Sequence, residues 1–157
     1  MSSIKKISFS YLVEPFYFPK RNETKLYIGR IFKDHHLKLN LINYVFCTDK
    51  YLLSLNNRYL AHDFYTDILT FDLSYGQTIS ADIFISVERA SENSAQYHVS
   101  KLSEIRRLLI HGALHLCGYK DKTGLDRKKM TAMEEVYLNK FFVSRETLRQ
   151  TFLVKQK

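Results

Sequence analysis

The stretch Lys101–Cys117 most narrows what this chain can become. It is the longest apolar helical pattern in the sequence, opened by Ser100, closed by Gly118, and carrying His111 and His115 four positions apart. Ser100 suits an N-cap, where its hydroxyl accepts from a backbone N–H that the first turn leaves unpaired. Gly118 suits the C′ position, where left-handed backbone favours glycine. At about 100° per residue, His111 and His115 stand about 40° apart on one face, one turn above the other. Two imidazoles so placed can share one metal ion. After Gly118 breaks the helix, the chain can fold back and bring Asp121 to the same ion. The expected centre is His111, His115 and Asp121 with an open position, the layout of a catalytic metal rather than a closed structural one. Zinc suits these ligands best, and manganese, nickel or cobalt are also accommodated by such donors. A lone pair of histidines at this spacing is commonly structural or exposed. Here Leu108, Leu109, Ile110, Leu114 and Leu116 surround them, and buried imidazoles need partners. The H-x-x-x-H-x-x-G-x-x-ligand spacing is also that of metzincin proteases.

Length and composition frame that centre. A chain of 157 residues is expected to form a single domain over 1–157 with a core large enough to need no staples. Lys and Arg total 24 against 16 Asp and Glu, a formal net charge of +8. The economical explanation is an anionic partner, most commonly nucleic acid; a basic surface kept for solubility is the plainer one. Cys47 and Cys117 form no CxxC pair and no disulfide framework, which fits a reducing cytoplasm. The N-terminal residues have two lysines without an apolar core behind them, and no run approaches the length of a membrane span. Neither a signal peptide nor a membrane segment is expected.

Periodicity predicts a strand at Ile7–Val13, followed by a loop punctuated by Pro15 and Pro19. A helix over Lys25–His36 is expected with Thr24 as its cap, then a strand at Leu37–Cys47. Thr48 or Asp49 caps a helix through Tyr59. Asp67–Leu73 and Thr78–Val87 read as a hairpin around Ser74–Gln77. Ser91–His98 reads as a short polar helix or turn. The metal helix follows, and a last amphipathic helix runs from about Leu125 through Met130, Met133, Val136, Tyr137 and Phe141. The order β-α-β-α-β-β-α-α-α predicts an α+β fold in which helices cover a small sheet.

A peptidase is disfavoured by one residue. In H-E-x-x-H enzymes the Glu after the first His is the general base, and here that place is Gly112. A metal ion can still acidify water without it, and a phosphodiester is a fitting substrate because cations neutralise charge building on phosphoryl oxygens. Cys117 lies about 240° around the helix from His111 and reads as core rather than a fourth ligand. Asp126 reads as a cap for the final helix. Asp67 is placed either to orient a ligand histidine or to cap a turn with Thr66. The stretch from Lys120 to Lys157 holds 10 basic and 5 acidic residues; it offers either a face along an RNA backbone or an ordinary solvated helix face. The aromatic residues suit stacking on single-stranded bases, although most fall at core-period positions.

The chain resembles the YbeY family of bacterial metallo-endoribonucleases. The family motif H-G-x-L-H-L-x-G-Y-D-H is matched by H-G-A-L-H-L-C-G-Y-K-D over residues 111–121. The upstream motif L-N-x-x-[FY]-R-x-x-D-x-P-T-[DN]-V-L-S-F is similar to Leu55, Asn56, Tyr59, Asp63 and the run from Thr66 to Phe71. A G-D-I strand resembles Ala81, Asp82 and Ile83, and M-x-x-x-E resembles Met130 to Glu134. In order and spacing the likeness runs from about residue 7 to 142. It implies a metal helix packed on a mixed four-stranded sheet, one zinc-like ion, and cleavage of single-stranded RNA. It further implies work on the 3′ end of small-subunit ribosomal RNA, with the ribosomal small subunit as partner.

The chain departs from that pattern twice. Asp121 stands where the family has its third His, and Lys120 precedes it in place of Asp; Lys120 either offsets the added negative charge near a phosphate or is simply solvated. Leu60 stands where the resemblance places an Arg that contacts substrate phosphate. Arg58 and His62 flank it and are the candidate replacements. Arg58 is displaced about 200° from Leu60 on a helix, so a surface role is its alternative, whereas His62 follows the helix end. The expected function is a metal-dependent single-strand endoribonuclease in ribosomal RNA maturation. The alternative is a non-enzymatic, metal-containing RNA-binding factor in ribosome assembly, which the missing Arg favours.

Overall fold

Strands β1 (Ile7–Tyr11), β2 (Lys38–Cys47), β3 (Ile68–Asp72) and β4 (Thr78–Ser86) form one sheet in the order β1-β2-β4-β3. The computed structural model describes residues 2–13 and 18–155, with side chains as far as residue 140. Pro15 and the side chain of Phe141 lie outside these limits. β1 and β4 both run parallel to β2, while β3 and β4 pair antiparallel. The sheet is therefore mixed and the fold α+β, as predicted. Helices α1 (Arg21–Asp34), α2 (Asp49–Leu60), α3 (Val87–Gln96), α4 (Lys101–Leu116) and α5 (Gly124–Lys155) complete it. Among the described residues no helix is long and apolar enough to cross a membrane.

The period-2 alternation of β4 sorts the helices onto the two faces. Ile79, Ala81, Ile83 and Ile85 point into the main core with Ile42, Tyr44 and Phe46 of β2, and α1, α4 and α5 close over them. Phe84 points the other way and packs with Phe71 against Leu52, Leu55, Cys47 and Leu69 beneath α2. α4 supplies Ile105, Leu108, Leu109, Ile110, Ala113 and Leu114 to the main core, all essentially buried. At roughly 1.5–3 kcal/mol for each large side chain fully buried, this face fixes how α4 turns on the sheet. The phenol of Tyr44 donates to the Leu109 carbonyl at 2.9 Å and adds a polar pin from β2. His111 and His115 are thereby carried along the edge of α4 that looks over β3 toward α5.

The caps of α2 and α4 form as predicted: Thr48 accepts from the Tyr51 N–H and Ser100 from the Ser103 N–H. Two helix starts and one cap differ from expectation. α1 begins four residues earlier, after Lys20 in left-handed backbone; Thr24 lies inside its first turns, buried, with its hydroxyl donating to the Lys20 carbonyl at 3.0 Å. The Thr hydroxyl thus serves the helix interior, a use that competes with capping. α3 begins at Val87, because the Ser86 hydroxyl accepts from the Arg89 N–H and turns the end of β4 directly into a helix. At the start of α5, Thr123 accepts from the Asp126 N–H at 3.1 Å, so Thr123 caps rather than Asp126.

Candidate metal centre and its cleft

The structure brings His111, His115 and Asp121 together. Their ligand-type atoms all lie within 4.8 Å of one another. His111 Nε2 and His115 Nε2 are 3.0 Å apart, and Asp121 Oδ2 is 3.2 Å from the second and 3.4 Å from the first. The helix supplies the imidazoles one turn apart. Gly118, at φ +101°, supplies the reversal that returns Asp121 to them; that backbone is strained for any residue with a Cβ.

The hydrogen bonds on the far side of each ring decide what the near side can do. His111 Nδ1 lies 2.6 Å from Glu134 Oε1, and His115 Nδ1 lies 2.9 Å from the Tyr119 carbonyl oxygen. A carboxylate and a carbonyl only accept, so both Nδ1 atoms donate and, in neutral imidazoles, both Nε2 atoms are left as bare lone pairs. Two lone pairs 3.0 Å apart beside a carboxylate oxygen repel unless a cation lies among them. A tetrahedral ion with bonds of about 2.0–2.1 Å has ligand-to-ligand edges of about 3.3 Å, and the observed 3.0, 3.2 and 3.4 Å bracket that value. The donor set fits a divalent cation.

Two supports behind the rings were not read from the sequence as such. Glu134, buried on α5, divides its carboxylate: one oxygen takes His111 and the other accepts from Arg107 at 3.4 Å. Arg107 sits one helical turn before His111 and is gripped edge-on by Glu104 at 2.6 and 2.9 Å. Burial opposes the Arg107 charge, but the hydrogen bonds and attraction of Glu104, with Glu134 and Asp67, raise its pKa still further. The second support is Tyr119, whose phenol lies 3.0 Å from His35 Nε2 while His35 Nδ1 donates to the Ile31 carbonyl. α1 thus anchors the residue whose carbonyl orients His115. The signals available were Glu134 in the M-x-x-x-E resemblance and the i, i+4 spacing of Arg107 and His111.

Asp67 does not orient either imidazole. Its carboxylate accepts from Asn93 at 3.0 Å and lies 3.7 Å from Arg107. Burial raises its pKa, against the lowering influence of Arg107 and His111. Cys117 packs against the main core, as expected.

The centre opens into a cleft of ≈ 810 Å³ between β3, α4 and the start of α5. Leu60 lines it, as do Arg107, Lys122 and Arg127. Leu60 therefore faces the cleft with an apolar side chain. Arg58 and His62 are exposed and are not among the lining residues: Arg58 lies 6.0 Å from the Tyr59 ring centroid, and His62 stacks on Phe64. Lys120 is also exposed and outside the lining, which takes Lys122 instead. Arg127 donates to the Lys122 carbonyl at 3.1 Å and so steadies the loop that carries Asp121. Gly112 packs against the sheet, where an added Cβ would meet Ile83 and Ile68 side-chain atoms at 3.1–3.2 Å. The position after His111 thus points into the core and not toward the centre.

Comparison with known proteins agrees with this architecture. The sequence model of the family described as endoribonuclease YbeY matches residues 20–142. An endoribonuclease YbeY of Flavobacterium psychrophilum is 41% identical over 139 residues, covering 87% of this chain and 97% of that protein. One from Cytophaga hutchinsonii is 42% identical over 121 residues, covering 76% and 85%. A solution structure of a Thermotoga maritima protein superposes with a TM-score of 0.62 at 21% identity, over 90% of this chain and 92% of that one, and shares the fold. By the sequence match along most of its length, the chain belongs to the endoribonuclease YbeY family.

Proposed function

We propose that this protein is a divalent-metal-dependent, single-strand-specific endoribonuclease that matures the 3′ end of small-subunit ribosomal RNA in the cytoplasm. The observation that carries the reading is the pair of bare Nε2 atoms converging with the Asp121 carboxylate at the floor of an open cleft. His111, His115 and Asp121 would hold the ion, and zinc suits two imidazoles and one carboxylate best. When bound, such an ion supplies Lewis-acid polarisation of a phosphoryl oxygen and acidification of water.

The remaining work falls to the chain's own residues. Glu134 and the Tyr119 carbonyl fix both imidazoles in the tautomer that presents Nε2. Lys122 and Arg127 place cations along a wall that also carries Asp67, Asp72, Asp121 and Glu134, while the Arg107 charge is answered by Glu104, Glu134 and Asp67. A strand carrying one negative charge per nucleotide is drawn in by Lys122 and Arg127 and by the +8 balance of the chain, and its binding weakens with added salt. The apolar lining that Leu60, Leu108 and Leu116 add suits an unpaired strand whose bases turn outward.

A second reading has one observation in its favour. Leu60 leaves the cleft without an arginine at the position where the family resemblance implies a phosphate contact, as expected of an RNA-binding assembly factor that keeps its metal for structure. One experiment separates the two. The purified protein is assayed for bound metal and incubated with single-stranded fragments of ribosomal RNA, beside His115→Ala. Metal and cleavage lost together support the nuclease; RNA binding without cleavage in either protein supports the assembly factor.

A further inference from the structure

The rim of the cleft carries a feature that neither the metal centre nor the phosphate wall uses. Between Tyr59 and Tyr65 three rings stand in solvent: Tyr59 is 59% exposed, Phe64 57% and Tyr65 52%. Leu60, Thr66 and Asp67 of the same segment line the cleft, so the segment that carries the rings borders it. The loop is held in place. Ala61 adopts left-handed backbone at φ +53°, and its N–H bonds the Asn57 carbonyl at 3.1 Å. Asn56, buried on α2, donates its side-chain amide to the Phe64 carbonyl at 3.0 Å and accepts the His62 N–H at its own carbonyl at 3.3 Å. Large apolar rings are thus kept out of the core on a fixed support.

Their present neighbours are planar and π-bonded. His62 lies on Phe64 with ring centroids 4.9 Å apart and planes 23° from parallel, and the Arg89 guanidinium lies 5.2 Å from the Tyr65 centroid. Tyr59 meets the Phe71 ring edge-on at 5.4 Å, leaving the rest of its ring exposed. Nucleobases offer the same chemistry, a flat π face beside a charged backbone, and bind such platforms with little regard for sequence. In a duplex those faces are covered by neighbouring bases, so the occupant is an unpaired strand. Arg58, exposed beside Tyr59, adds attraction for its phosphates.

We propose that Tyr59, His62, Phe64 and Tyr65 form a base-stacking platform that receives single-stranded RNA as it leaves the cleft. This rests on the nuclease reading above and assigns it a base subsite. His62 thereby serves the substrate at its bases, and Arg58 at a phosphate outside the cleft, rather than as the clamp on the reacting phosphate.

The test measures fluorescence anisotropy of a labelled twelve-nucleotide oligoadenylate, and of the same backbone with abasic residues, in chelator so that no strand is cut. The parent protein should prefer the base-bearing strand. Phe64→Ala should weaken it by roughly fivefold to a hundredfold, the range for loss of one stacked base. It should leave the abasic strand unchanged, and Phe64→Tyr should restore the preference. If Tyr59→Ala, Phe64→Ala and Tyr65→Ala all bind both strands as the parent does, the platform is refuted and the face is left to a protein contact. Cleavage of RNA by the metal-loaded parent in that same outcome keeps the nuclease reading standing. A parent that neither binds nor cuts RNA removes both.

Discussion

Glu134 on α5 reaches across to α4 and meets His111 Nδ1 at 2.6 Å, while its other oxygen faces Arg107. One carboxylate therefore sets the orientation of a metal-facing imidazole and answers a buried guanidinium. Glu134→Gln keeps the shape but loses the charge that makes the imidazole a better donor. Such outer partners are typically worth 10–100-fold in metal affinity. Zinc affinity, measured by competition with a chromophoric chelator, should fall by about that factor. An unchanged affinity would remove Glu134 from the centre.

Asp121 is the candidate ligand at which this chain departs from the three-imidazole pattern that the family resemblance implies. Asp121→Ala deletes one of three donors and should lower zinc affinity by more than the outer partner does, on the order of a hundredfold or beyond. Asp121→His replaces a hard oxygen with an imidazole and should shift preference from manganese toward zinc and nickel. Competition titrations with the three metals, in each variant, read this directly. Equal metal affinity in Asp121→Ala and the parent contradicts the convergent site.

Most of the frame was legible because its signals are local. The alternation of β4, the hydroxyl caps of α2 and α4, and the Gly118 reversal each depend on a few neighbouring residues. The two histidines share a face by helix geometry alone, and Gly118 permits Asp121 to join them. What stayed hidden needed tertiary distance. Glu134 is 23 positions from His111, and His35 is 84 from the Tyr119 it steadies, so no periodicity connects either pair. α1 starts ahead of Thr24 because the Thr24 hydroxyl bonds inward to Lys20, a choice set by its burial. Arg58 and His62 flank Leu60 in sequence, yet the end of α2 and the left-handed Ala61 turn only Leu60 into the cleft.

Gly112 tests why a peptidase base is missing at this position. An added Cβ there already approaches Ile83 and Ile68 at 3.1–3.2 Å, and the glycine is buried. Gly112→Glu would press a carboxylate into the apolar contact between α4 and the sheet, with no partner for its charge. Overpacking costs about 1–3 kcal/mol, and an unpaired buried polar group adds at least as much again. Urea unfolding should show a loss of about 3 kcal/mol or more, or no cooperative transition at all. A variant as stable as the parent would mean that the position can open toward the centre.

Cys47 ties the second core to alkaline pH. Its thiol is buried at the end of β2, beneath α2, and donates to the Ile85 carbonyl. Burial first, then the nearby Asp49 and Glu88 charges, push its pKa from 9.0 up to about 12. At pH 8 the folded thiolate fraction is then about one in ten thousand, so alkylation should run roughly a thousandfold slower than in urea. The same shift carries a stability consequence with a definite sign. Below pH 9 both states keep the proton and the thiol contributes fully. Between about pH 9 and 12 the unfolded chain releases it while the folded chain does not. Stability therefore falls as pH rises, by about 1.4 kcal/mol per unit from this group. Cys47→Ala abolishes that component, so its urea midpoint should decline less steeply over pH 9–11 than the parent's. Parallel declines would show that the thiol titrates alike in both states.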